Sequence, residues 1–321
     1  MSRSLKKIGL IFATLLLILG SLPFFNLNVQ AADTASTAAN KITIGTVKNT
    51  AAMPAVMANA NTEFTRGNIS VEVKSFDSNK ELNDAIQQGT VNVATTNLVS
   101  YASITKKNPT WKIAGTLPGY SALVANKKYK SVKSLNGKTI AVDKKDSSKL
   151  YLKNLLKKNG MKLSSVKLTQ VDAESARTDS LKSGKIDAAV LEDPAISNAR
   201  ANGAKVLNHQ SYNKNNGDIL IVNNDYAKKN ASAVKIMISV MNAQIKKINN
   251  MGNYMMANDA LSAFNTSSEA TGYMNKKMDF TFKKIQKVKK ADFNKAFKYA
   301  KSQKLYKGKI SYKSHVLKIN K

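Results

Sequence analysis

Hydrophobic and polar positions in this chain follow two different periods, and the two take turns. The segment "KITIGTV" (41–47) has the two-residue period of a strand, and "PAVMANANTEF" (54–64) has the period of a helix. "ISVEVKSF" (69–76) sets Ile69, Val71 and Val73 against polar neighbours, and "NKELNDAIQQ" (79–88) reads as a helix stopped at Gly89. A strand at 91–96, a helix at 98–107 and strands at 111–117 and 121–126 follow. The rhythm then repeats: strand 139–143, helix 148–159 stopped at Gly160, strand 165–171, helix 173–183 stopped at Gly184, strand 186–192, helix 194–202, strand 204–208. Strands alternating with helices predict an α/β fold whose mostly parallel sheets are covered on both faces.

Asp77 and Gly89 bracket one helix as Asp172 and Gly184 bracket another, at the same offset of 95 residues, which suggests two similarly built lobes. From "GDILIVNNDYAKKN" (217–230) the pattern becomes one strand followed mainly by helix, at 231–250, near 253–264, at 267–278 and at 291–303. These helices must pack on something already built. The expected division is a first lobe from 41–125, a second lobe from 126–216, and a helical return to the first lobe over 217–321. Hinges are expected near Ala125–Tyr129 and Asn216–Ile219, and closure about them would bury a ligand.

Composition adds location and partners. The N-terminus carries Arg3, Lys6 and Lys7, an apolar run from Ile8 to Leu19, and Val29 and Ala31 spaced as a cleavage site. Residues 1–31 therefore read as a secretory signal peptide cut after Ala31, with 32–40 as a polar lead-in, and no later run is apolar enough to span a bilayer. The 321 residues allow one large domain or two ordinary ones, and 43% hydrophobic content suffices for real cores. The absence of cysteine excludes disulfides, thiol catalysis and a lipid-acceptor cysteine. Without the three cations of the signal segment the chain keeps 48 basic residues against 20 acidic, a formal charge of +28. Such a field favours anionic partners. Only Arg66, Arg177 and Arg200 remain as arginines, however, and lysine is the poorer reader of bases and phosphates, so no nucleic-acid partner is expected. The lysines spread over almost every predicted helix face, a solvated basic surface suited to anionic cell-wall polymers.

The stretch 135–199 carries a more specific signal. Leu135, Gly137 to Val142, Ser147 and Ser148, Leu155 to Gly160, Leu181 to Ala189 and Asp193-Pro194 follow a pattern of strand, serine-bearing loop, helix ending in glycine, "L-x-x-G-x-I-D-A-A" turn and acidic residue before proline. In this the chain resembles the nitrate/sulfonate/taurine-binding family of solute-binding proteins, and "KSFDSNKELNDAIQQGTVNVATTN" and "WKIAGTLPGYSALVANK" extend the resemblance over most of 41–250. The resemblance implies a two-lobe type II periplasmic-binding-protein fold with a ligand cleft between the lobes. It also implies a monomer that hands a small solute to a membrane permease of an ABC importer, with no cofactor. The implied ligand is a small organic anion such as an alkanesulfonate, or an aromatic heterocycle of the thiamine-precursor kind.

Ligands of open α/β sheets sit beyond the carboxyl ends of the strands, where helix N-termini favour anions. Candidate site residues are therefore sought at those junctions. In "DKKDSSK" Asp146 or Ser147 can cap the following helix, while Ser147 and Ser148 can cap or bind, with Ser148 or its amide donating to a ligand oxyanion. Asn49 and Thr50 in "KNT", and Thr96 and Asn97 in "TTN", end strands of the first lobe in the same way, either as caps or as ligand contacts. Tyr120 and Ser121 in "PGYS" could reach the cleft, the ring covering an apolar part of the ligand. In "EDP" Asp193 reads as a cap to a helix with Pro194 at its first position, and by resemblance Glu192 faces the cleft and binds an amine or heterocycle nitrogen. Arg177 is expected on the exposed side of its helix rather than as an anion clamp.

Nothing points to catalysis. His209 and His315 are the only histidines and share no triad or metal-ligand spacing, and no phosphate-binding glycine loop occurs. Members of this fold that synthesise the thiamine pyrimidine use a Cys/His-rich segment that this chain lacks. The rival to solute binding is a wall-associated surface protein whose lysines hold anionic envelope or host-matrix polymers.

Overall fold

The computed structural model describes residues 41–252, 261, 264, 266–276 and 281–318. The expected signal peptide, its lead-in and most of the helical stretch near 253–264 lie outside them. The first unit runs β1 (Ile42–Val47), α1 (Met53–Ala60), α2 (Glu63–Arg66), β2 (Val71–Phe76), α3 (Asn79–Gln87), β3 (Val93–Asn97), α4 (Leu98–Lys107) and β4 (Trp111–Thr116). The second runs β5 (Ala122–Ala125), β6 (Thr139–Val142), α5 (Ser147–Lys158), β7 (Lys167–Gln170), α6 (Glu174–Lys182), β8 (Ala188–Leu191), α7 (Ala195–Ala201) and β9 (Lys205–His209). There follow β10 (Asp218–Asn223), α8 (Asn224–Lys229), α9 (Ala231–Met251), α10 (Ser268–Asn275), α11 (Lys290–Ser302) and α12 (Tyr312–His315). Among the described residues no helix is long and apolar enough to cross a membrane.

Two five-stranded sheets result, ordered β2-β1-β3-β10-β4 and β7-β6-β8-β5-β9. Strand for strand the orders match, with β10 and β5 each antiparallel to the strands beside them. The recurrence extends to helices: α3 and α6 both span nine residues, 95 positions apart, and each is followed by a glycine in the left-handed region, Gly89 (φ 70°) and Gly184 (φ 73°). That conformation costs glycine little and releases the chain into the next strand. Caps start the helices where the sequence has them, with the Ser78 hydroxyl accepting from the Glu81 amide at α3 and Asn97 Oδ1 accepting from Val99 and Ser100 at α4. The expected helix 54–64 is two, broken at Thr62, which sits in the left-handed region at φ 55°.

Three expectations are corrected. β5 pairs with β8 and β9, so the chain leaves the first sheet after Thr116 and crosses over 117–121, rather than staying in the first lobe to 125 and hinging at 125–129. The run "SALVAN" is apolar throughout and would be buried in either sheet, so pattern alone does not assign it. The C-terminal helices do not all return to the first lobe: α9 packs on α1 and α11 on α4, but α10 packs on α7 of the second. Residues 312–318 are no solvated tail, because His315 is buried among Tyr101, Phe293 and Phe297, and Val316 bridges in parallel to Ile113.

Arg177, expected exposed on α6, is only 1% exposed. Its Nε donates to the Val171 carbonyl at 3.0 Å, Nη1 to Val190 at 2.6 Å and Nη2 to Asp172 at 3.1 Å. The guanidinium thus ties the end of β7 to β8 from beneath. A helical-face argument missed it because α6 is short and polar on most sides, so its inward side carries no apolar stripe. Replacing Arg177 with Met should cost about 3–5 kcal/mol, since it leaves three carbonyls and nearby carboxylates uncompensated; urea unfolding measures this, and a loss under about 1 kcal/mol would show the guanidinium to be dispensable.

Candidate functional site

The carboxyl ends of β1 and β3 and the start of β10 form one edge of the first sheet. The carboxyl ends of β6, β7 and β8 and the start of β5 form the corresponding edge of the second. The crossovers 117–121 and 210–217 join these edges, so the edges face one another. Three side-chain contacts span the gap: Thr50 Oγ1 to the Asp193 carbonyl at 3.3 Å, Asn79 Nδ2 to Asp146 Oδ2 at 3.3 Å, and Lys149 Nζ to Gln303 Oε1 at 2.6 Å.

All nine residues singled out by sequence lie on these edges or in the first crossover, but they do different things. Ser148 is committed locally: its amide donates to Asp146 Oδ1 at 2.7 Å, and its hydroxyl receives the Asp143 amide and donates to the Asp143 carbonyl. Its hydrogen bonds close the turn into α5, with Asp146 as the cap, and do not leave the amide free for a ligand oxyanion. Asn97 likewise spends its side-chain oxygen capping α4. Ser147 lines a cavity of about 210 Å³ together with Leu98, Tyr151, Gln210 and Asn216. A second cavity of about 170 Å³ takes Asn79 and Ser100 from one lobe and Asp143 and Asp172 from the other.

The remaining candidates cluster. Tyr120 is buried and donates its hydroxyl to Asp193, so the ring is anchored in the crossover rather than presented on a free turn. Ser121 donates its amide to Gln210 Oε1 at 2.7 Å and its hydroxyl to Glu192 Oε1 at 3.4 Å. Asp193 Oδ1 accepts from the amide and hydroxyl of Ser197, which holds the start of α7; Pro194 precedes that helix instead of opening it. Four buried oxygens from both lobes have no hydrogen-bond partner: Asn49 Oδ1, Thr95 Oγ1, Thr96 Oγ1 and Glu192 Oε2. A protein rarely leaves such atoms unpaired inside itself.

The chemistry here is acidic. Among the described residues the fully buried charged side chains of Asp, Glu, Lys and Arg are Asp143, Asp146, Glu192, Asp193, Asp218 and, alone among cations, Arg177. Glu174 joins them: the residue is half-buried, but its carboxylate is enclosed and accepts the Glu192 amide at 2.7 Å. Asp218 stands against Gly119, where an added Cβ would fall 1.8 Å from Asp218 Oδ2, so only glycine lets the crossover pass. Burial, reinforced by the Asp143 charge, pushes the Asp146 carboxyl up to about 7. Burial and then Asp146 and Glu174 push Asp218 up to about 8. Glu192 is raised well above the usual carboxylate range by burial and by Asp218, Glu174 and Asp146. Burial raises Asp193 as well, outweighing its hydrogen bonds from Tyr120 and Ser197.

Sequence reasoning named Glu192 but assigned no site role to Asp143, Glu174 or Asp218. For Asp218 a signal existed: an acid opening the otherwise apolar strand "DILIV" has no water to face once both neighbours are paired. For Glu174 there was none, because an acid in the first turn of a helix is ordinary.

No curated protein sequence matches the chain. Several solved structures share its fold. The periplasmic aliphatic sulphonate binding protein SsuA from Escherichia coli superposes with a TM-score of 0.71 at 15% identity, covering 88% of this chain and 93% of that one. The alkanesulfonate-binding protein SsuA from Xanthomonas axonopodis pv. citri, bound to MOPS, gives 0.70 at 16% identity over 84% and 95%. The ligand-binding component of an ABC-type import system from Staphylococcus aureus, with zinc bound, gives 0.71 at 14% identity over 86% and 96%. The two-lobe arrangement is thus the periplasmic-binding-protein fold. The family model described as NMT1/THI5 like matches residues 49–250, well over half of the sequence, and the chain belongs to that family.

Proposed function

We propose that this protein is the extracytoplasmic solute-binding component of an ABC importer, capturing a small solute between its lobes and presenting it to a membrane permease. The observation that carries this reading is the set of unpartnered buried oxygens contributed from both sheet edges, Asn49 and Thr96 from one lobe and Glu192 from the other. Two lobes joined by two crossovers can open and close, and oxygens left unpaired in the closed form gain partners when a solute lies between them. The family membership and the fold shared with proteins described as binding aliphatic sulphonates support the same reading. Of the two ligand classes expected from the sequence, the acidic lining favours a nitrogen-bearing heterocycle or amine over a sulfonate-like anion.

A second role is compatible with the first. Among the described residues no lysine is fully buried, while five acids are, so the excess positive charge lies on the outside. We propose that this exterior holds the protein to anionic wall polymers.

Titrating the mature protein with small solutes should raise its stability by about 2.7 kcal/mol at a hundredfold excess over the dissociation constant. Thr96→Val should weaken that binding about tenfold, while the unliganded protein stays as stable or gains stability, because the lost hydroxyl had no partner. Unchanged affinity in calorimetry would remove Thr96 from the site. In the unliganded state the raised carboxyls keep protons that the unfolded chain, with carboxyls near 4, has already released. Stability should therefore be highest near pH 4, fall as pH rises through the folded values of about 7 and about 8, and level off above them. Denaturant midpoints measured from pH 4 to 9 check this, and a curve rising with pH over that window contradicts it. For the exterior, a 1 M salt wash should release the protein from cells, since the screening length drops from about 10 Å at 0.1 M to about 3 Å; retention through the wash counts against wall binding by charge.

A further inference from the structure

We infer that the solute is an organic cation, a protonated amine or an amidine-like heterocycle, whose N–H groups are received by Glu192 and Asp218. This rests on the solute-binding reading above and adds the sign of the ligand's charge.

The buried charge between the lobes does not balance. Asp146, Glu192, Asp193 and Asp218 surround a single guanidinium, and the three nitrogens of Arg177 are all engaged by backbone carbonyls. Arg177 therefore offsets the acids by its field and offers no fork to an anionic ligand. A cation arriving between the lobes restores the balance, whereas an anion would deepen it.

Helix N-termini are the other means by which this kind of fold holds anions, and here the protein's own side chains occupy them. Asn97 takes the Val99 and Ser100 amides of α4, Asp146 takes the Ser148 amide of α5, and Asp193 takes the Ser197 amide of α7. What stays unpaired is an acceptor: Glu192, 8% exposed, has Oε1 bonded to Ser121 and Oε2 without a partner. Across the gap Asn49 offers a second unpaired acceptor, and the Thr96 hydroxyl can accept as well. The complement of such a lining is a ligand rich in N–H donors.

A metal ion fits less well. Among the described residues no three carboxylate or imidazole groups come together in a way that could hold one. The acids are arranged around a volume, each held by its own turn or helix start, and that suits several donors spread over a small organic skeleton.

The test is a thermal-shift and calorimetric panel at pH 8 on the mature protein, using two sets of probes. Agmatine, putrescine and 4-aminopyrimidine form the cationic or basic set, and ethanesulfonate, methylphosphonate and nitrate the anionic set. Binding is expected from at least one member of the first set and none of the second. Glu192→Gln and Asp218→Asn should each weaken that binding by at least tenfold, yet melt no lower than wild type without ligand at pH 8, because each removes like-charge repulsion; the unliganded melt also certifies that the variants fold. Binding by the anionic set alone overturns the cation and leaves the solute-binding reading standing. Binding by neither set, or a divalent metal giving the only response, overturns the inference, and silence from both sets counts against solute binding as well.

Discussion

Four carboxylates and one guanidinium share the space where the two lobes meet, and the rest of the molecule adjusts to that imbalance. An ionised carboxylate leaves water at a cost of several kcal/mol, repaid only by hydrogen bonds and opposite charge. Arg177 supplies the opposite charge from beneath the second sheet, and the turns into α5 and α7 supply the hydrogen bonds for Asp146 and Asp193. Glu192 and Asp218 get less, and burial pushes both toward the protonated form. A fold selected only for stability would replace such groups with apolar ones. Their presence at the junction of two movable lobes marks the place where stability is given up for binding.

The architecture explains why the acids can be gathered at all. Each sheet collects strand ends along one edge, and the common strand order brings equivalent loops to equivalent places. With the two edges opposed, each contributes short loops and helix starts that need only one or two polar residues apiece. Gly119 lets the crossover pass close to Asp218, and Thr50 reaches the Asp193 carbonyl across the seam. The exterior carries the opposite sign, so a small cation must cross a basic surface to reach an acidic interior. The long-range field therefore retains the protein on an anionic envelope, and the short-range field selects the solute.

Much of this was legible in the sequence and some was not, and the division has a physical basis. Element types and order followed from the two-residue and 3.6-residue periods, glycines stopped α3 and α6 where expected, and the 95-residue recurrence announced two like lobes. Local capacities were also legible: Asp146, Asn97 and Ser148 were read as residues that cap or bind, and capping needs only neighbours in the chain. By itself the sequence determined local conformation, the alternation of elements and the net charge, because these depend on interactions within a few residues. The tertiary structure alone decided that β5 belongs to the second sheet, that Arg177 points inward, and that Asp146, Glu174, Glu192 and Asp218 share one field. Those facts depend on which strands pair and which edges face, and the energies that settle them act between residues many tens of positions apart.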